Sequence, residues 1–412
     1  MITVAALSVG VTGGSASAST RGTGTTAAAG RGTAATGAGL ATGAGLATAH
    51  SVGTPPRLGE VRPVIAYVAN VGASGAGTVT PIKTSTDSAG TPINVGDDPS
   101  VIAITPNGDT AYVLNQDSDT VTPIQTATGT AGAAISVGSE PAAIAFTPDG
   151  KTAYVANAAD GTVTPIKTAT NTAGAPITVG SYPSAIAITP DGSTAYVANS
   201  GSGTVTPIKT ATNTAGAPIT LSAFPAGIAI TPNGKTAYVI GDTEYSGSVT
   251  PITTATNKAG TAIPMSGYPS GIAITPNGKT AYVVATGSAS GTVTAITTAT
   301  NKAGTAINVT GNPSAIAITP DGVTAYVLSS GVASCSGQVT PIKTASNKAS
   351  TAIQVSAEPT AIAFTPDSKT AYVVDDYCDL APGAVTPITT ATNKAGAPVP
   401  VGVYPRAIAI TP

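Results

Sequence analysis

The chain has 412 residues, of which 48 are glycine, 33 are proline and only 9% are charged, and its net charge is −2. The mean hydropathy of +0.25 excludes a charged disordered chain, and no apolar stretch reaches the roughly 18 residues of a membrane helix. The near-zero net charge predicts no general attraction to nucleic acid or anionic lipid. Abundant Thr, Val, Gly and Pro favour strands and turns over helices.

Residues 1–60 are predicted to form a low-complexity tail, because they contain mainly Ala, Gly, Thr and Ser. Ile2 to Val11 is mostly apolar, and Ala16-Ser17-Ala18 resembles the cleavage site of a secretory signal peptide. No basic residue precedes Arg21, so the positive first region of such a signal is missing. We expect a protein that is secreted or held at the cell surface, in which this segment is the end of a signal sequence; the alternative is that it is simply part of the tail.

Residues 61–412 repeat an Ala-Tyr-Val triplet whose tyrosines are 42 to 46 residues apart. The repeat tyrosines are Tyr67, Tyr112, Tyr154, Tyr196, Tyr238, Tyr282, Tyr326 and Tyr372. Each period contains four short strand-like segments, A to D, separated by turns such as Pro190-Asp191-Gly192. Four-stranded antiparallel units repeated at this period are typical of a β-propeller.

The array contains eight segments of each kind, because it begins at segment B near Val64 and ends at segment A near Thr411. We predict an all-β, eight-bladed β-propeller of four-stranded antiparallel blades, in which a C-terminal strand completes the N-terminal blade. The alternative is a truncated piece of a longer array, which the end of the chain at Pro412 leaves open. We expect a monomer without a membrane span.

Segment C carries a proline in seven of its eight copies, although a proline cannot donate to a sheet ladder. These residues are Pro81, Pro123, Pro165, Pro207, Pro251, Pro341 and Pro387, with Ala295 in the remaining copy. We therefore expect segment D to be short or frayed, which would make segment C an effective edge beyond the proline.

The repeat resembles the YVTN-type β-propeller family over residues 64–412, through its Pro-Asp-Gly turn, its Tyr-Val-x-Asn strand and its Gly-Thr-Val-Thr strand. The forms nearest to the family tetrapeptide are Tyr67 to Asn70, Tyr154 to Asn157 and Tyr196 to Asn199. Later copies replace the asparagine with Gly241, Ala285, Ser329 and Asp375. The resemblance implies the propeller fold and leaves the activity open, since such folds host many unrelated functions.

Sorting the charges by loop predicts two faces of opposite charge. The loops between segments D and A and between B and C share one face, which has twelve acidic residues and one base, Arg406. The opposite face has twelve lysines and six aspartates. The acidic residues of the first face are Asp97, Asp98, Asp117, Asp119, Glu140, Asp160, Asp242, Glu244, Glu358, Asp375, Asp376 and Asp379.

The residue before the proline that opens segment A is expected to form a ring around the channel mouth on the acidic face. Because it precedes proline, we predict an extended backbone there. Binding residues concentrate on the loops of rigid scaffolds, so this ring and the inserted loops are the candidate ligand-binding surface; the alternative is that the side chains only plug the channel. The ring candidates are Asp98, Glu140, Tyr182, Phe224, Tyr268, Asn312, Glu358 and Tyr404, and the loop candidates are Asp242, Glu244, Tyr245 and Tyr377.

Two further groups lie in the long loops of this face. Cys335 and Cys378 fall in B–C loops of adjacent copies, and we predict a disulfide between them, which suits an oxidising compartment. The alternative is two unrelated thiols. Asp375, Asp376 and Asp379 are the densest carboxylate group and the candidate calcium site. No other cofactor is expected.

Three functions remain open from the sequence. The favoured one is an exported binding or scaffold module for a protein, peptide or glycan. The second is a metal-dependent hydrolase similar to propeller lactonases, with ligands from residues such as Glu140, Glu358, Asp98 and Asn312. The third, DNA binding through the lysine face, is disfavoured because no aromatic residues are interleaved with the lysines. The one histidine, His50, lies in the tail, which excludes histidine-based catalysis from the propeller.

Overall fold

The computed structural model describes residues 63–73, 75–243, 246–287, 291–331, 336–377 and 382–412, together with the backbone of residues 44–45. The described chain forms eight antiparallel sheets, the blades, arranged in a ring. In each blade strands A, B and C follow one another outward from the axis, and the outer strand D consists of two short pieces, D1 and D2, that both pair with strand C. The eight-bladed β-propeller predicted from the repeat is confirmed.

The blades are numbered 1 to 8 in the order in which their B strands occur in the chain. From blade 1 to blade 8, the A strands are Pro405–Ile410, Pro99–Ile104, Pro141–Phe146, Pro183–Ile188, Phe224–Ile230, Tyr268–Ile274, Asn312–Ile318 and Glu358–Phe364. The B strands are Ile65–Asn70, Thr110–Asn115, Thr152–Asn157, Thr194–Asn199, Thr236–Asp242, Thr280–Thr286, Thr324–Ser330 and Thr370–Asp376. The C strands are Thr78–Lys83, Thr120–Gln125, Thr162–Lys167, Thr204–Lys209, Gly247–Thr253, Gly291–Thr297, Gly337–Lys343 and Pro382–Thr389.

The outer strand pieces follow in the same order. The D1 pieces are Ser88–Ala89, Thr130–Ala131, Thr172–Ala173, Thr214–Ala215, Lys258–Ala259, Lys302–Ala303, Lys348–Ala349 and Lys394–Ala395. The D2 pieces are Ile93–Asn94, Ile135–Ser136, Ile177–Thr178, Ile219–Thr220, Ile263–Met265, Ile307–Val309, Ile353–Val355 and Val399–Val403. Outside the blades, Ala44–Gly45 pairs in parallel with Gly271 and Ile272 of strand A in blade 6.

Blade 1 joins the two ends of the repeat array. Its strand A, Pro405–Ile410, pairs antiparallel with Ile65–Asn70, as the strand count predicted. Beyond the strand, the Thr411 amide donates to the Ile65 carbonyl at 3.0 Å, and the Ile65 amide donates to Oγ1 of Thr411 at 2.9 Å. The ring is therefore closed by main-chain pairing, which removes two sheet edges.

The proline in strand C explains why strand D is split. In blade 3 the carbonyl oxygen of Pro165 accepts a hydrogen bond from the Gly174 amide at 2.7 Å, between the two D pieces. Pro165 has no amide proton to return, so the ladder is interrupted there and resumes at Ile177–Thr178. The expectation of a short outer strand is confirmed. Strand C is not an edge beyond the proline, however, because D1 pairs with its residues after Pro165 and D2 pairs with its residues before Pro165.

The faces of the sheets pack against neighbouring blades, so strands A, B and C are largely buried. Small alanines alternate with Ile and Val along strands A and B, and the eight repeat tyrosines are buried between blades. The Tyr154 hydroxyl of blade 3 donates to Oδ1 of Asn213 in blade 4 at 2.6 Å, and the same type of contact recurs around the ring. No helix long and apolar enough to cross a membrane occurs in the described part of the chain.

Candidate ligand-binding rim

The eight ring positions lie where the A strands begin, so they encircle one end of the central channel. We call them the rim. In blades 1 to 4 the A and B strands are six residues long and the rim residue precedes strand A; in blades 5 to 8 they are seven residues long and the rim residue is the first of strand A. The repeat therefore contains two types of blade, which differ at the rim.

The prediction of an extended backbone is wrong for four rim residues. Asp98, Glu140, Tyr182 and Tyr404 have φ values of 48°, 53°, 50° and 51°, which lie in the left-handed region. In blade 3 the Glu140 carbonyl accepts a hydrogen bond from the Ala158 amide at 2.9 Å, and the Glu140 amide donates to Oδ1 of Asp119 at 2.9 Å. These bonds to neighbouring B–C loops outweigh the preference of a residue before proline.

The other four rim residues extend strand A and pair with the last residue of strand B. Phe224 pairs with Asp242 and Glu358 pairs with Asp376, and the remaining two pairs are Tyr268 with Thr286 and Asn312 with Ser330. In each case the pairing register then shifts immediately after the proline. The rim side chains of these blades are consequently held by regular strand pairing.

Three aromatic side chains on consecutive blades form the aromatic sector of the rim. Tyr182, Phe224 and Tyr268 of blades 4, 5 and 6 are 59%, 58% and 45% exposed. A Cβ atom at Gly201 would lie 2.8 Å from Cδ2 of Tyr182, and one at Gly203 would lie 3.9 Å from Cδ1 of Phe224. The first two rings therefore flank the same B–C loop. The fourth rim aromatic, Tyr404, is half-buried and lies apart on blade 1.

The opposite part of the rim forms a charged sector around Arg406, the residue after the opening proline in blade 1. In blade 8, Oε1 of Glu358 accepts a hydrogen bond from the Ser330 hydroxyl at 2.6 Å. Burial raises the pKa of the Asp376 carboxyl to about 6, although Arg406 opposes the shift and Glu358 adds to it. Burial and Asp117 also raise the pKa of Asp98, again against Arg406. One guanidinium thus interacts with carboxylates of blades 2 and 8.

Asp242 lies on the aromatic side of the rim, opposite Phe224. Burial raises the pKa of its carboxyl to about 6, and its Oδ1 has no hydrogen-bond partner among the described residues. Its neighbours Glu244 and Tyr245 lie outside the described residues. Tyr377 is half-buried beside the charged sector.

Asp375 occupies a position that is asparagine in blades 1 to 4. Its carboxylate is fully buried and accepts hydrogen bonds from the hydroxyls of Thr386 and Ser356. Burial raises the pKa of Asp375 to about 7, against these hydrogen bonds. Neighbouring residues of a strand face opposite sides of the sheet, so Asp375 and Asp376 point apart. Asp379 lies outside the described residues.

Within the described residues no group of three His, Cys, Asp or Glu side chains is placed to hold a metal ion. The calcium site of Asp375, Asp376 and Asp379 therefore stays a prediction. The disulfide also stays a prediction, because Cys335 and Cys378 lie outside the described residues.

Some acidic residues of this face stabilise the loops. Oδ1 of Asp119 accepts the Glu140 amide at 2.9 Å, and Oδ2 of Asp160 accepts the Ser139 amide at 2.8 Å. Both carboxylates thus tie a B–C loop to the D–A loop that forms the rim. Assigning the charged residues to loops placed both aspartates on a charged surface and did not identify this role.

A buried asparagine beneath the rim was also not identified as a structural residue. In blade 2, Nδ2 of Asn115 donates to Oγ1 of Thr122 at 2.9 Å and to Oγ1 of Thr120 at 3.1 Å. A Cβ atom at Gly96 would lie 2.7 Å from Cγ of this asparagine. The sequence contains a pattern that indicates this role, since every blade with this asparagine carries a glycine at the position equivalent to Gly96. The other blades carry Ser222, Ser266, Thr310 and Ser356 there.

Comparisons with known proteins support the fold. No family model and no curated protein sequence matches the chain. Among solved structures, "Kuenenia stuttgartiensis Hydrazine Synthase" is 26% identical with a TM-score of 0.60, covering 71% of this chain and 96% of that one. "Dihydro-heme d1 dehydrogenase NirN in complex with DHE" is 16% identical with a TM-score of 0.69, covering 87% and 78%. "Crystal structure of the eukaryotic initiation factor" is 12% identical with a TM-score of 0.56, covering 85% and 98%.

These structures are similar to the chain as β-propellers. The two matches below 25% identity show the fold alone. Their names describe different kinds of protein, as expected for a fold that carries unrelated functions on its loops. Binding and enzymatic roles are both compatible with this fold.

Proposed function

We propose that the chain is a secreted or surface-associated binding module that holds a protein, peptide or glycan ligand on its rim. The observation that carries the proposal is the aromatic sector: Tyr182, Phe224 and Tyr268 are adjacent, exposed and fixed on rigid blades. Exposed neighbouring aromatic side chains mark interaction sites, because they offer a large contact area at a low cost in side-chain entropy.

The exposure of these side chains argues against a purely structural role. Side chains that only plugged the channel would be shielded from solvent, whereas Tyr182 and Phe224 are more than half exposed. Around them lie Asp242 and Glu140, which supply hydrogen-bond acceptors and negative charge. The rim thus offers apolar contact bordered by carboxylates, as in ligand sites that combine an apolar lining with a few polar groups.

A parallel screen of peptide and glycan arrays tests the proposal. Wild-type protein and a Tyr182→Asn/Phe224→Asn/Tyr268→Asn variant are applied to the same arrays. Asparagine is the rim residue of blade 7 and also tolerates the left-handed backbone of Tyr182, so it is compatible with both types of rim position. We expect ligands that the wild type retains and the variant loses. Identical binding by both proteins would show that the aromatic sector is not part of the binding site.

We also propose that the chain belongs to the YVTN-type propeller family. Its Tyr-Val and Gly-Thr-Val-Thr segments support this membership. Export is supported by the apolar segment near the start of the chain and by the two cysteines. A thiol titration of denatured, unreduced protein tests the proposed Cys335–Cys378 disulfide. No reactive thiol is expected, and two would contradict the pairing.

A metal-dependent hydrolase similar to propeller lactonases is the second candidate. It is favoured by the corner where Ser330, Glu358 and Asp376 meet, because carboxyls with raised pKa values concentrate at catalytic sites. Calcium or another divalent ion would be its cofactor. Metal analysis of the purified protein combined with a lactone screen tests it: bound metal and turnover that Glu358→Gln abolishes would support the hydrolase over the binding module.

A further inference from the structure

The face opposite the rim, which carries the twelve lysines, has two halves that differ in net charge. In blades 1 to 4, the A–B turns, the ends of strand C and the C–D connections carry four lysines and four aspartates, which cancel. In blades 5 to 8, the same segments carry eight lysines and two aspartates, a net charge of +6. We call the second set the basic half-face. It consists of Lys235, Lys258, Lys279, Lys302, Lys343, Lys348, Lys369 and Lys394.

The structure places these lysines at one end of the blades. In blade 6, the Lys279 carbonyl accepts a hydrogen bond from the Thr298 amide at 3.1 Å, and Lys302 pairs with Thr297 across the strands. Blades 5 and 8 repeat this arrangement with Lys235 and Lys258 and with Lys369 and Lys394. Blades 5, 6 and 8 thus each contribute one lysine from the A–B turn, nearer the axis, and one from the outer strand, whereas blade 7 contributes Lys343 from the end of strand C and Lys348 from the outer strand.

The charges are exposed and mostly not neutralised. All eight lysines are exposed. Lys369 forms an ion pair with Asp367 at 3.2 Å, and the other seven have no ion-pair partner among the described residues. Lys343 and Lys348 even face each other across strands C and D1, an arrangement that costs stability because like charges repel.

Turn geometry does not require this charge pattern. In blade 3, Oδ1 of Asp149 accepts hydrogen bonds from the Thr147 hydroxyl at 2.7 Å and the Lys151 amide at 3.1 Å. In blade 5, Oδ1 of Asn233 accepts the equivalent bonds at 2.8 and 3.0 Å. Asparagine therefore preserves the turn and removes the negative charge. At the outer strand, the lysines take positions that are serine or threonine in blades 1 to 4.

We propose that the basic half-face docks the propeller onto an anionic phospholipid surface. The lysines extend over four blades in two directions, from the turns near the axis to the outer strands, and this spread matches a planar array of charges. For lysine clusters at such surfaces, the binding free energy grows roughly in proportion to the number of lysines. The acidic face lies on the opposite side of the ring, so docking leaves the rim open to solvent.

Vesicle flotation tests the proposal with two variants matched in charge. The first is Lys258→Thr/Lys302→Thr/Lys348→Thr/Lys394→Thr, which installs the threonine that blades 3 and 4 carry at this position. The second is Lys83→Thr/Lys151→Thr/Lys167→Thr/Lys209→Thr, which removes four lysines from the neutral half. Both are compared with the wild type on vesicles of phosphatidylcholine with about one-third phosphatidylglycerol and on pure phosphatidylcholine.

The wild type is expected to bind the anionic vesicles alone, with an affinity that falls as salt rises. The first variant should lose about a thousandfold in partitioning, and the second no more than a few-fold. Thermal unfolding confirms that both variants fold. Absence of wild-type binding at low salt, or equal losses in the two variants, would overturn the proposal. Tighter binding to dextran sulfate or duplex DNA than to vesicles would also overturn it, because the half-face would then recognise a soluble polyanion.

Discussion

Tyr372 in blade 8 donates its hydroxyl proton to Oδ1 of Asp87 in blade 1 across 2.5 Å, and also lies 3.1 Å from the Thr84 carbonyl oxygen. The bond spans the junction between the last blade and the first. At six other junctions the acceptor is an asparagine, as for Tyr196 and Asn257 at 2.6 Å. Between blades 1 and 2 the Tyr67 hydroxyl donates to the Thr126 carbonyl at 3.0 Å. Burial and the Asp87 carboxylate raise the pKa of Tyr372 well above its usual range. A side-chain bond thus reinforces the closure made by strand pairing.

Removing this hydroxyl should weaken the ring more than removing one inside it. Tyr372→Phe leaves Asp87 without its donor, and a hydrogen bond to a charged group contributes about 1.5–3 kcal/mol, compared with about 1 kcal/mol for a neutral pair. Thermal unfolding measures the difference, with Tyr196→Phe as the matched control. We expect a larger fall in Tm for Tyr372→Phe. Equal falls would mean that the closing junction has no special contribution.

Gly96 and Asn115 should behave as a coupled pair. Gly96→Ala places a Cβ atom against Asn115 and is expected to cost about 1–3 kcal/mol, because the packed side chain has no room to move. Combining Gly96→Ser with Asn115→Ala reproduces the pair of blade 6, Ser266 and Ala285. In urea unfolding the double variant should be more stable than the sum of the two single effects predicts. Strict additivity would show that the two positions do not interact.

Asp375 should make the fold less stable as the pH rises. Its pKa is about 7 in the folded state against 3.8 in the unfolded chain, so the folded state binds more protons between these values. The free energy of unfolding should therefore fall from pH 4 to pH 7 and then level off. Asp375→Asn removes this loss and is expected to stabilise the fold at pH 8 by on the order of 1–3 kcal/mol, with little effect at pH 4.

The control for that experiment is Asp191→Asn. Hydrogen bonds from Thr189 and Ser193 hold the pKa of the exposed Asp191 carboxyl below its usual value, so this substitution should not stabilise the protein at pH 8. Chemical unfolding at pH 4 and pH 8 gives both comparisons. Similar stabilisation by the two substitutions would indicate a general charge effect and contradict a specific role of burial at Asp375.

Ala295 should accept the proline that every other C strand carries. Its carbonyl oxygen accepts the Gly304 amide at 2.8 Å, as the proline carbonyls do, and the gap between Lys302–Ala303 and Ile307–Val309 leaves its amide without a ladder partner on that side. Ala295→Pro should stabilise the protein by about 0.5–1 kcal/mol, because proline restricts the unfolded chain. Thr294→Pro, one residue earlier, is the control and should destabilise it. A clear loss of Tm for Ala295→Pro would show that the amide is needed.

The fold was predictable because its signals are local and repeated eight times. The Ala-Tyr-Val strand, the Asp-Gly and Asn-Gly turns and the missing A segment at the start predicted the blade number and the closing strand, with a truncated longer array as the alternative. The split of strand D followed in part from the prolines of strand C. The predicted segment D corresponds to D2, and the additional pieces D1 were not predicted, because two residues carry too little pattern to distinguish a strand from a loop.

The rim was predictable in position but not in conformation. Counting from the prolines placed Tyr182 and Phe224 side by side on consecutive blades. The left-handed backbone of Tyr182 depends on a hydrogen bond from Ser200 in the B–C loop to its carbonyl at 2.9 Å, a contact that no local rule about proline contains. The loop-stabilising bond of Asp119 similarly joins two blades, so it could not be read from either blade alone.

The affinity of the rim for a ligand recovered from the arrays tests the central claim most directly. Isothermal titration compares the wild type, the variant with Asn at positions 182, 224 and 268, and Tyr404→Asn. The last variant makes the same change at the equivalent position of blade 1, outside the aromatic sector. We expect the triple variant to lose at least about a hundredfold in affinity, since aromatic anchors dominate such interfaces, while Tyr404→Asn stays close to the wild type. Unchanged affinity in the folded triple variant would contradict a binding site on the rim.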